Sequence, residues 1–122
     1  FNLCLLFACN KSEKKLIGLW AIDEITLNDQ DIKIKLDLNT ISFDRDGNCE
    51  LPLFQWKGNK QGRWEIEKYQ DDNFLIIKSN NNFLANKYRL FFFADRKKGL
   101  ERMILRSEKI KMTCSKFFSS VK

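Results

Sequence analysis

From residue 16 onward, short apolar runs alternate with polar, turn-prone clusters at intervals of about ten to seventeen residues, the spacing of antiparallel strands rather than helices. Within the runs the side chains alternate with a period of two. Trp64 and Ile66 share one face while Arg63, Glu65 and Glu67 share the other. Tyr88, Leu90 and Phe92 oppose Lys87, Arg89, Phe91 and Phe93 in the same way, and Ile110, Met112 and Cys114 oppose Lys109, Lys111, Thr113 and Ser115. Eight strands are predicted, at 18–27, 32–43, 49–54, 63–68, 74–78, 84–94, 100–107 and 109–117.

Punctuation between the runs supports this division. Asp44, Arg45, Asp46, Gly47 and Asn48 give the strongest hairpin signal, because Asp-Gly and Gly-Asn accept the positive φ of a tight turn. In the second strand the alternation Ile32, Ile34, Leu36, Leu38 slips by one residue to Ile41 and Phe43, which predicts a bulge or break near Asn39 and Thr40. No helix longer than a turn and no internal repeat is expected. The fold class predicted is all-β, an eight-stranded antiparallel up-and-down barrel.

The first residues follow a different rule. Phe1 to Ala8 are largely apolar, end in Leu6, Phe7, Ala8 and Cys9, and give way to polar Asn10, Lys11, Ser12 and Glu13. That order resembles the lipobox of bacterial lipoproteins, in which the cysteine is acylated and becomes the mature N-terminus. The run is shorter than the roughly 20 apolar residues that span a bilayer, so it is expected to be an export signal whose basic front lies upstream. Residues 1–8 are then a signal remnant, 9–15 a lipidated tether and 16–122 the folded domain. The expected location is the bacterial cell envelope, with attachment to a membrane through acyl chains on Cys9. Cys4 leaves with the signal, and Cys49 and Cys114 remain. In an oxidising compartment they are candidates for one disulfide, the alternative being two buried free thiols.

Ile17, Gly18, Leu19 and Trp20 open the first predicted strand, and Gly18-x-Trp20 at that place resembles the lipocalin signature, closest in pattern to small lipocalin-like bacterial lipoproteins. The resemblance covers residues 16–117. It implies a calycin-type barrel whose closed bottom is packed by Trp20. The chain is shorter than true lipocalins, lacks their C-terminal helix, and offers Lys116 where the family packs an arginine over the tryptophan. On this topology Cys49 and Cys114 fall at the closed end with inward parity. A bridge there requires Cα atoms within roughly 7 Å, which opposition across the barrel would forbid.

Net charge is +6, but the basic residues are scattered, as on a solvated barrel exterior, and no nucleic-acid motif is present. Histidine is absent, no serine lies in a nucleophile motif, and most carboxylates sit on outward strand positions or in turns, so no enzyme, no metal site and no cofactor is expected. Asp44-x-Asp46 has part of a calcium-loop pattern without enough further ligands. The open mouth is expected to gather Trp56, Trp64 and Phe83, with Tyr88 lining a shallow pocket and Glu24 as its polar anchor. The function expected from this is a lipid-anchored, non-enzymatic module that binds a small apolar or amphipathic ligand. The alternative is a protein-interaction module, an inhibitor or envelope scaffold, whose barrel is filled by side chains. A filled barrel with exposed apolar loops would favour the second.

Overall fold

The structure, a computed structural model, describes residues 11–117. Its strands are β1 (Gly18–Leu27), β2 (Gln30–Asp31), β3 (Thr40–Phe43), β4 (Asn48–Glu50), β5 (Gln61–Tyr69), β6 (Asp72–Lys78), β7 (Asn86–Asp95), β8 (Leu100–Arg106) and β9 (Ile110–Phe117). Every neighbouring pair from β3 to β9 is antiparallel, β3 pairs with β1, and β9 pairs back onto β1 from Ala21↔Ser115 to Leu27↔Ile110. The result is the eight-stranded up-and-down barrel, with β2 as a two-residue arm folded back on β1. Closure gives each wall strand a neighbour on both sides, although the short β4 leaves residues 65–69 of β5 paired only with β6.

Period-two patterning places the core. Inward positions of the wall, among them Ile22, Ile25, Ile41, Phe43, Leu75, Ile77, Met103, Leu105 and Met112, are almost completely excluded from solvent. Each such residue contributes roughly 1.5–3 kcal/mol of burial free energy. With Trp20, Tyr88 and Trp64 added, side chains occupy an interior that eight strands can only just enclose.

Two predicted strands are shorter than their alternation implies. Residues 33–35 form a 3-10 turn and the second strand starts at Thr40, beyond the predicted break; the third ends at Glu50 rather than residue 54. In a helical turn Ile32 and Leu36, four apart, both face inward, whereas Ile34 and Leu38 face water. The apolar spacing that mimics a strand therefore serves a lid.

The segment expected to be a tether is helical from 11 to 16 and lies over the barrel end where β1 begins. Leu16 is fully buried beneath it. This end, with the turns at 44–47, 70–71 and 96–99, is the base; the opposite end is the mouth.

Cys49 and Cys114 are both buried free thiols, the alternative to the candidate disulfide. β4 and β9 are separated by β1 and β3 around the wall. Cys49 also lies level with Gly18 through Phe43, whereas Cys114 is level with Ile22. Neighbouring strands stand about 4.8 Å apart, so this separation exceeds bridging distance. Cys9 and the signal-like run lie outside the described residues.

Candidate functional site

The mouth is sealed from three directions. Ile32 and Leu36 enter from the 3-10 segment, Leu51 from the loop after β4, and Leu84 from the loop after β6. Asn82 holds the last two loops together: its side-chain amide donates to the carbonyls of Pro52 (3.2 Å) and Asn59 (2.9 Å), and its side-chain oxygen accepts from the Leu84 N–H (2.9 Å). Gly58 permits the same closeness, because a Cβ there would collide with the Asn81 carbonyl oxygen and its φ is +103°. Neither role is legible in the Asn80 to Asn82 run, which reads only as a turn.

The five residues expected to line the mouth do not converge. Glu24 is exposed on the outer wall, beside the bulge between Ile22 and Glu24 that shifts β1 against β9. Trp64 is buried near the base, edge-on to Phe43 at 6.0 Å, with its indole N–H donating to the Asp44 carbonyl at 2.9 Å. The Asp44 carboxylate itself accepts the N–H groups of Asp46 and Asn48, completing the predicted hairpin. Tyr88 is core, its hydroxyl donating to the Leu84 carbonyl at 2.7 Å beneath the lid.

Only Phe83 and Trp56 remain at the mouth. Phe83 packs against Phe54 at 4.9 Å, and the two border an open depression of about 410 Å³ shared with Lys57, Gly58, Asn81 and Asn82. Trp56 does not border it and is 72% exposed, held by left-handed backbone at both Gln55 (φ 56°) and Trp56 (φ 63°). Such φ values are uncommon for bulky residues and are retained here at a loop tip. Ile34 is 91% exposed on the adjoining segment, where the Gln55 N–H donates to the Lys35 carbonyl at 2.8 Å. Leu38 is also exposed.

The base is closed by a different device. Trp20 donates its indole N–H to the Leu16 carbonyl at 2.7 Å and packs 6.3 Å from Phe92. Lys116 lies over the indole, and burial pushes its ammonium below the usual lysine range while Glu101 opposes that shift. Depressions of about 220 to 470 Å³ among the described residues are lined by loop, base-helix and strand residues at the surface. The chain matches no family model, no curated protein and no solved structure.

Proposed function

We propose that this protein is a lipid-anchored, non-enzymatic interaction module of the bacterial envelope, built on a lipocalin-like barrel that carries no internal ligand and recognises another protein at its mouth. The carrying observation is the sealed mouth with its exposed apolar loops: the inward wall positions, Trp64 and Tyr88 among them, are core, while Ile34, Leu38 and Trp56 face water. Exposed aromatics on a rigid support are the usual anchors of protein interfaces. The anchor reading supplies the orientation. Cys9 precedes the base helix by two residues, so acyl chains there would hold the base near the membrane and leave the mouth free of it.

A photocrosslinking amino acid placed at position 34 or 56 in the native host tests this, with position 65 on the wall as control. A discrete protease-sensitive adduct from 34 and 56 and none from 65 is the expected result. The Phe54–Phe83 depression supports a second reading, capture of a small amphipathic molecule. No adduct, together with a molecule co-purifying in native mass spectrometry, would replace the first reading with the second.

A further inference from the structure

The outer face of β7, β8 and β9 departs from the polar exterior expected of a solvated barrel wall. Phe91 and Phe93 point outward, with Ile104 beside Phe91 in the ladder. One row nearer the base, Leu100 pairs with Phe117, which is 78% exposed. Continuing the β1–β9 register by two residues sets Leu19, 63% exposed, next to Phe117. Phe91, Phe93 and Ile104 form one apolar group and Leu19, Leu100 and Phe117 a second on the same outer face, with ion-paired Arg102 between Ile104 and Leu100 on β8. Together they are the stripe, more than isolated exposed side chains require.

Cations border the stripe on both sides. Toward the base, the β7–β8 turn presents Arg96, Lys97 and Lys98 to solvent. Toward the mouth, Arg89, Arg106 and Lys111 stand directly opposite one another on three neighbouring strands. Like charges in register destabilise a sheet, so folding does not account for this row. Arg89 is paired with Asp72, and Arg102 takes Asp23 and Asp95, but among the described residues Arg106 and Lys111 have no carboxylate partner. An apolar band with a cationic border matches the boundary between acyl chains and anionic headgroups.

The chain's own path favours a bilayer as the occupant. Lys11 shares a surface depression with Lys68 and Asn73, and Asn73 pairs with Leu90 of β7. The helix therefore begins over β5 and β6, beside β7, and its last turn reaches the stripe, where Lys15 shares a depression with Phe93 and Glu101. Cys9 lies two residues upstream, within about 7 Å of extended chain.

We propose that the β7–β9 wall, from the Arg96–Lys98 turn to the Arg106–Lys111 row, docks on an anionic phospholipid bilayer and fixes the tilt of the barrel beside its anchor. This rests on the anchor reading for its setting, but not for its test.

The test uses the chain from residue 9 with Cys9→Ser, which carries every described element and no lipid. It is sedimented with vesicles of phosphatidylcholine, with or without one-third phosphatidylglycerol. Binding to the anionic vesicles alone, weakened by added salt, is expected. K97E/K98E and F93S/F117S should each weaken it by about tenfold or more. K33E/K35E, the same charge change at the mouth, and Trp56→Ala should leave it unchanged. Absent binding, equal binding to both vesicles, or equal loss from K33E/K35E would overturn the proposal. So would binding to single-stranded oligonucleotide without vesicle binding, since aromatic and basic strand residues also suit that ligand. The intact mass of the protein extracted from host membranes bears on the anchor instead: an unmodified Cys9 would remove acylation while leaving the vesicle result standing.

Discussion

Lys116 and Trp20 form one joint that closes the base: the ammonium lies 4.5 Å from the ring centroid and donates to the carbonyls of Lys15 (2.8 Å) and Ile17 (2.7 Å), flanking the Leu16 carbonyl that Trp20 itself holds. The last carbonyls of a helix have no intrahelical donor, and a cation at that end also favours the helix dipole. A six-residue helix is too short to persist alone. It is stable here because β1 and β9 cap its C-terminus and Leu16 fills the hole above Trp20.

Lys116→Ala should therefore lower stability by about 2 kcal/mol, the range for hydrogen bonds to a charged group. Lys116→Arg should recover most of that loss, since its guanidinium keeps both the donors and the stacking on the indole. Urea midpoints at unchanged slope measure both.

Much of the wall was legible because each long strand buries only one face. Trp64, Tyr88 and Met112 alternate with charged neighbours, and the hairpin at 44–48 and the break before Thr40 follow from turn chemistry and phase. The lids were not legible. Ile32 and Leu36 satisfy a strand and a helical turn equally well, and only the short β3 and β4 leave space for them to fold inward. Trp64 was expected at the wrong end because β4 is so short that the Asp44 turn reaches back to its indole. The helix at 11–16 has almost no amphipathic signal, and its partners Trp20 and Lys116 are distant in sequence.

The two thiols predict an alkaline limit to stability. Burial pushes Cys49 from its ordinary value of 9.0 up to about 11, with Asp44 adding and Arg63 opposing, and burial raises Cys114 and the Tyr88 phenol further. Because the folded state holds these protons more tightly than the unfolded state, their contribution is complete below pH 9.0 and lost as pH rises toward and past 11. Urea midpoints should fall across that window. Ellman's reagent at pH 8 should label neither thiol in the native Cys9→Ser chain from residue 9, and two per chain after unreduced denaturation. Finding none in the denatured protein would mean a disulfide.

The lid makes a steric prediction. Gly58→Ala introduces a Cβ against the Asn81 carbonyl in a left-handed backbone position, and should cost about 2 kcal/mol while raising hydrogen exchange in the 51–60 and 79–85 loops. Trp56→Ala, at an exposed tip, should change stability by no more than about 0.5 kcal/mol.

Titration with a fluorescent long-chain fatty acid, followed by quenching of tryptophan, asks whether the barrel interior is available. With Tyr88, Met103 and Met112 filling the space between the lid and Trp20, no saturable one-to-one complex should form. A stoichiometric, competable complex that quenches a Trp56→Phe variant as fully as the parent would place ligand among the buried tryptophans and contradict a filled barrel.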